Sequence, residues 1–230
     1  MRLVKPSYQI QGNICAIDIL QSIERAGRVC YKSEDKNPNL DFEKTKKFVK
    51  GIISRGHEAV LEHEKLTVKF VCDRGISHEL VRHRIASFCQ ESTRYCDYDA
   101  GHVTFIIPHW VDIKEGEYSE ETILNMQINK SPFSCGDYCW FLSVAKDELL
   151  YKRLRKEGWI PGQARSVLPN SLKTEIFVTA NIREWRHIFN LRAIDKTGAA
   201  HSQMKELMIP LLEDVKKMIP VLFDDLVIKG

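Results

Sequence analysis

The sequence predicts one α+β domain. Three observations carry that prediction: apolar residues recur at helical spacing in several long stretches, two separate segments alternate with a period of two, and no repeat or Gly-, Pro- or Ser-rich linker divides them. With 230 residues, 43% of them hydrophobic, the chain is long enough to bury a core of its own, and the domain is expected to span residues 1–230.

In chain order, Ile19, Leu20, Ile23 and Ala26 mark a helix between Ile17 and Cys30, with Asp18 as its candidate cap. A second helix starts at Asp41. Phe42, Thr45, Phe48, Val49, Ile52 and Ile53 share one face, Lys44, Lys46, Lys47 and Lys50 form a solvated face, and Gly56 ends it. Leu66, Val68, Phe70 and Cys72 alternate with Thr67, Lys69, Val71 and Asp73, which predicts a strand with one buried face, turned at Asp73-Arg74-Gly75.

Ser77 is placed to cap a short helix through Leu80, Val81 and Ile85, and Ser87 to Gly101 then reads as a polar loop of the length that carries function. Val103–Ile107 is a short strand stopped by Pro108, and 110–130 is polar, weakly helical and assigned no function. A long amphipathic helix covers Cys135–Glu157 and closes at Gly158, and Pro161 and Gln163 begin another helical turn. Leu172 to Ala180 alternates as the second strand, Asn181–Ile194 returns to helical period, and Pro210 is expected to break or kink the last helix.

Basic and acidic side chains nearly balance, 34 against 31, which argues against a chain that coats nucleic acid. The odd set of seven cysteines is irregularly spaced in segments that otherwise read as core, as expected of a reduced intracellular protein. Met1–Pro6 carries no apolar leader, and no run approaches the roughly 20 apolar residues of a membrane span, so a cytoplasmic chain without membrane contact is expected.

Chemistry concentrates between Glu79 and Tyr95, where Arg82, His83, Arg84, Ser87, Ser92 and Arg94 crowd a helix end and the loop after it. Arginine forks match phosphate oxygens, and serine hydroxyls complete such a cradle, so Ser92, Thr93 and Arg94 suit a phosphomonoester. Taken singly, each arginine would be an ordinary surface charge or a partner of Glu79 or Glu91; their density argues otherwise. A second basic constellation follows in Gln163–Pro169 and Asn181–Arg192, where His187 lies four residues after Arg183 and Arg192 five further on. Its bland alternative makes Trp185, Phe189 and Leu191 a core stripe and leaves Arg183 and Arg186 solvated.

The chain has no Gly-rich dinucleotide fingerprint, no P-loop and no nucleophile elbow. Metal spacing is poor as well: His57 and His63, or His78 and His83, do not repeat as ligand pairs, and Cys135 and Cys139 have no CxxC partner, so no metal is expected. Ser92 has no neighbouring general base and reads as a ligand rather than a nucleophile, and Cys89 and Cys96 read as plain filling.

Arg82-His83-Arg84-x-x-Ser87-x-x-x-x-Ser92-x-Arg94 resembles the signature of the flavin-dependent thymidylate synthases. The likeness continues through His57, Glu62-His63, Ala164-Arg165, Leu168-Pro169, Asn181, Arg183, His187, Leu191-Arg192 and His201-x-Gln203, covering most of the chain. Cys89, Glu79 and Ala59 depart from the commoner pattern, where asparagine, glutamine and a small hydroxyl residue are frequent.

The resemblance implies an α+β domain with a central mixed or antiparallel sheet flanked by long helices, assembled as a homotetramer whose subunits share FAD and dUMP sites. It implies FAD contacts from Arg82, His83, Arg84, Asn181, Arg183 and His187, with Gln90 reaching both ligands and His57 flanking the flavin or the folate entrance. It further implies that Glu79, Leu80, Val81 and Arg82 hold dUMP together with Gln90, Glu91, Ser92, Thr93, Arg94 and Arg165. Arg192 would address the uracil as the catalytic residue, stabilising negative charge on the ring. The implied reaction takes its carbon from 5,10-methylenetetrahydrofolate and its hydride from NADPH.

Overall fold

The structure, a computed structural model, describes residues 1–119, 121–123, 125 and 133–228; the remainder of the unassigned 110–130 stretch lies outside the described residues. Its strands are β1 (Arg2–Val4), β2 (Ser7–Gln11), β3 (Lys65–Asp73), β4 (Ala86–Gln90), β5 (Thr104–Ile106), β6 (Gly116–Glu117) and β7 (Lys173–Asn181). Its helices are α1 (Ala16–Val29), α2 (Phe42–Ser54), α3 (Arg74–Leu80), α4 (Cys135–Lys156), α5 (Pro161–Ala164), α6 (Ile182–Arg192), α7 (Ser202–Met218) and α8 (Pro220–Phe223).

The α+β class is observed, but among the described residues the strands form two sheets instead of one central sheet: β5-β1-β6 and β2-β3-β7-β4. In the smaller sheet β1 runs parallel to β5, with Leu3 opposite Phe105, and antiparallel to β6, with Leu3 opposite Gly116. Strands β1 and β2 went unseen in the sequence because they are short and β2 has no buried residue, so no alternation develops.

The chain divides into two compact units: Met1–Ser7, Phe70–Arg82 and Cys89–Ile176 in the first, and Tyr8–Lys69, His83–Phe88 and Phe177–Gly230 in the second. The first is built on Leu3, Val103, Phe105, Phe141 and Val144, which bury the inner face of α4. Ser134 caps that helix by accepting from the Asp137 N–H at 3.1 Å, and Gly158 closes it with a φ of 87°, a left-handed conformation suited to glycine.

The second unit packs α1 against α2, burying Leu20, Ile23, Val49 and Ile52. Asp41 caps α2 by accepting from the Lys44 N–H, and Gly56 follows its end at φ 71°. Beneath these helices the fully buried Glu24 accepts from Arg28, Asn37 and Thr45, a polar knot that no periodicity announces. Its satisfaction is what makes it tolerable, since an unpaired buried charge costs several kcal/mol, about as much as the whole stability margin of many domains.

Two expected breakpoints moved. Asp18 is not the cap of α1: the helix begins at Ala16 after Cys15, with no side-chain cap bond. Of the break or kink expected at Pro210, the break does not occur: α7 runs through it, because Leu207, Met208, Leu211 and Leu212 are buried on both sides and outweigh the lost hydrogen bond and ring clash, together about 3 kcal/mol. Cysteine burial also differs from expectation: only Cys72 is buried among the described cysteines, where burial pushes its thiol up to about 12.

Candidate functional site

The arginine motif lies in a passage that the structure resolves differently from the sequence. Asp73 ends β3 and accepts from the Ile76 N–H at 2.7 Å, so α3 begins at Arg74 rather than at Ser77. It stops at Leu80, leaving Arg82 in a turn and His83 and Arg84 outside any helix. The expected loop from Ser87 opens as strand β4, with Ser87 and Cys89 exposed and Ala86, Phe88 and Gln90 half-buried. An alternation this short, at half burial, is too weak to register as a strand, and Cys89 is not interior filling.

In the first unit the motif's loop meets the second basic segment. Arg165 donates to the Thr93 hydroxyl at 2.8 Å, beside a cavity of about 330 Å³. Arg74, His78, Ser166 and Asn170 also line it, and none of the described lining residues carries a carboxylate. A concave surface with two guanidinium groups, hydroxyls and an amide, and without an acid, suits a compact dianion such as a phosphomonoester. Arg74 and His78 were missed in the sequence, where the pocket-forming end of α3 was read as a turn; they lie four apart on one helix face, a signal that a correct helix start would have given.

The other residues assigned to this ligand behave unequally. The Gln90 amide donates to Ser77 and Thr174 at 2.8 and 3.2 Å. Glu91 accepts from Tyr98 at 2.8 Å and pairs with Lys173 at 3.0 Å, so it braces the loop rather than answering an arginine. Ser92 accepts from the Arg94 N–H at 3.3 Å, and the exposed Arg94 lies over the Tyr95 ring. Leu80 is a core residue, Val81 is exposed, Glu79 is half-buried, and the Arg82 side chain is exposed.

In the second unit α6 brings together residues that the sequence spread from 83 to 192. Arg192 donates from Nε to His83 Nε2 at 3.2 Å, and His83 Nδ1 faces Glu184 Oε1 at 3.7 Å. His187 meets His83 edge to face, with ring centroids 6.2 Å apart. Burial first, then the charges of Arg192 and His187, push the His83 pKa down to about 4, so this imidazole is neutral near pH 7. Donor atoms of His83, Glu184 and His187 lie within 4.8 Å of one another, but a dication there would stand beside the Arg192 guanidinium, and the group reads as the setting of Arg192.

Next to this cluster Asn181, Arg183, His187, Asn190 and Lys196 line a cavity of about 480 Å³, together with Glu58, Glu62 and Glu184. The Asn181 side chain caps α6 by accepting from the Glu184 N–H at 2.8 Å, and the exposed Arg183 pairs with Glu62. Arg186, which the bland alternative left solvated, is buried, forking onto Asp225 at 2.7 and 2.6 Å and donating to the Leu222 carbonyl. His57 and Arg84 are exposed, His57 leading into the turn Glu58–His63. Apart from Arg82 and Gln90, the residues expected at flavin thus belong to the second unit, and apart from Arg192 those expected at dUMP belong to the first.

The family model described as thymidylate synthase complementing protein matches residues 16–221. The chain belongs to this family. It is 35% identical over 205 residues to the flavin-dependent thymidylate synthase of Corynebacterium aurimucosum, covering 88% of this chain and 78% of that protein. It is 32% identical over 204 residues to the flavin-dependent thymidylate synthase of Pyrococcus furiosus, covering 86% and 75%. Among solved structures, the UMP/dUMP methylase PolB from Streptomyces cacaoi bound with 5-Br dUMP shares the fold at a TM-score of 0.72 and 22% identity, covering 97% of this chain and 96% of that one.

Both of these relatives are named as flavin-dependent, and the chain carries residues that can be tested against such a cofactor. Beside Glu58, Glu62 and Glu184, the amides, imidazole and cations of Asn181, Asn190, His187, Arg183 and Lys196 offer the donors and acceptors that a polar ring system needs. Among the described residues, no helix is long and apolar enough to cross a membrane.

Proposed function

We propose that the chain, acting as one catalytic domain, converts dUMP to dTMP with 5,10-methylenetetrahydrofolate as carbon donor and NADPH as reductant. The observation that carries this reading is the acid-free cationic cavity where Thr93 and Arg165 meet, because it supplies the phosphate cradle that a nucleoside monophosphate needs. FAD, when bound, would supply the redox chemistry that a reductive methylation needs.

The protein's own work is binding, orientation and charge. Arg74, Thr93 and Arg165 hold the phosphate, with Ser92 and Arg94 closing over it. Glu79, Leu80, Val81 and Arg82 contribute through the end of α3, where a core side chain such as Leu80 has only its backbone to offer. His57, Arg82, His83, Arg84, Gln90, Asn181, Arg183 and His187 serve the flavin. Arg192 faces the uracil and offsets negative charge as the ring is polarised, so no cysteine nucleophile is needed. The assembly is a cytoplasmic homotetramer whose subunits share their sites.

The test is the visible spectrum of the purified protein, followed by anaerobic reduction and addition of dUMP with methylenetetrahydrofolate. A flavin spectrum with dTMP as product supports the proposal. Flavin without dTMP points to another flavoenzyme, and a colourless protein that takes up no added FAD would overturn it.

A further inference from the structure

Arg192 meets a histidine through an N–H donor, and that contact constrains the histidine. Arginine is always protonated, so its Nε–H must donate, and His83 Nε2 must present a bare lone pair at 3.2 Å. The His83 proton therefore resides on Nδ1. A proton on Nε2, or on both nitrogens, would set N–H against N–H and turn the guanidinium away. The acidic group facing Nδ1 is Glu184, whose Oε1 lies 3.7 Å off, an electrostatic contact longer than a hydrogen bond.

Glu184 is unusual for its place. It is the third residue of α6, where a carboxylate ordinarily sits in solvent near the helix start, yet its side chain is only 9% exposed and lies against an imidazole that is 5% exposed. Burial raises its pKa and His187 draws it back. A carboxylate kept so far from water, with its backbone N–H already held by Asn181, has its electrostatic effect on the ring beside it. Nothing in the motif that contains His83 signals this partner, because Glu184 lies a hundred residues downstream.

We propose that Glu184 holds the His83 proton on Nδ1 and thereby aims the Arg192 guanidinium through His83 Nε2, making Glu184 a positioning residue for Arg192. The consequence for turnover rests on the proposed role of Arg192 at the uracil; the tautomer itself does not. Outer partners that orient a working group typically change activity by about tenfold or more.

The decisive measurement is the nitrogen NMR spectrum of the full chain labelled with ¹⁵N-histidine, with His83 assigned by its loss in His83→Gln. The wild type is expected to show a protonated Nδ1 and a bare Nε2, a pattern that mixes or inverts in Glu184→Ala and persists in Glu184→Gln, whose amide oxygen still accepts. In turnover, measured per bound flavin, Glu184→Ala is expected to lower kcat about tenfold with the KM for dUMP unchanged, and Glu184→Gln to recover most of the loss. An Nε2-protonated His83 in the wild type overturns the proposal whether or not Glu184→Ala folds, as does an unchanged tautomer in Glu184→Ala. If the wild type makes no dTMP but the tautomer responds as described, the catalytic reading fails while the positioning of Arg192 by Glu184 stands.

Discussion

The two cavities differ in how they treat their cations. In the first unit Arg74 and Arg165 face a cavity with no carboxylate among its described lining residues, and Arg165 rests on a neutral hydroxyl. In the second unit three carboxylates line the cavity: Glu62 holds Arg183, Glu58 helps hold Arg186, and Glu184 faces His83. A guanidinium already matched to a carboxylate has less attraction left for an incoming anion than one whose described side-chain partner is a neutral hydroxyl. The sequence named Arg165 and Arg183 as ligand residues and passed over Arg74 and Arg186; only their partners show how each cation is held.

The sharpest way to break that contrast is Arg192, which leans on a neutral histidine. Arg192→Ala is expected to keep its flavin and to lose dTMP formation by about a hundredfold or more, in line with the removal of one group that stabilises developing charge; steady-state assays beside the visible spectrum check this, and full activity would remove Arg192 from the chemistry. Next comes Arg186, a cation held by several partners. Arg186→Ala strands Asp225 and the Leu222 carbonyl and is expected to destabilise the fold by about 3 kcal/mol, with little effect on dUMP affinity. Thermal unfolding should then fall by about 10 °C for a chain of this size, and an unchanged midpoint would mean that the pair is idle.

Arg165→Ala should do the converse, weakening dUMP binding by about 30-fold, the loss of about 2 kcal/mol from one charged hydrogen bond, while leaving thermal stability nearly intact. Calorimetric titration with dUMP reads the first and a melting curve the second; equal affinity would leave the acid-free cavity without its proposed ligand.

The smallest effect is in pH. With its pKa pushed down to about 4 from 6.5, native His83 stays neutral where the unfolded chain takes up a proton. Stability therefore falls as pH drops from 6.5 toward about 4, and levels off below that. Denaturant unfolding at about pH 7 and about pH 5 should show a larger loss for the wild type than for His83→Gln; equal losses would mean that the ring is not desolvated as the structure has it.

Some of this protein was settled by its sequence. Period-two alternation placed β3 and β7, helical period and glycine punctuation placed α2 and α4, and the density of Arg82, Arg84 and Arg94 marked the family motif before any fold was known. These are local features, set by repeat length and side-chain chemistry within a few residues. Burial and partnership were settled only in three dimensions, because both depend on residues far apart in the chain. Tertiary packing carried α7 through Pro210 and buried Arg186 against Asp225. Likewise it set Thr93 beside Arg165 across 72 residues and His83 beside Arg192 across 109. A sequence names which side chains carry charge, but the work those charges do is fixed by what stands within a few ångströms of them, and folding decides that.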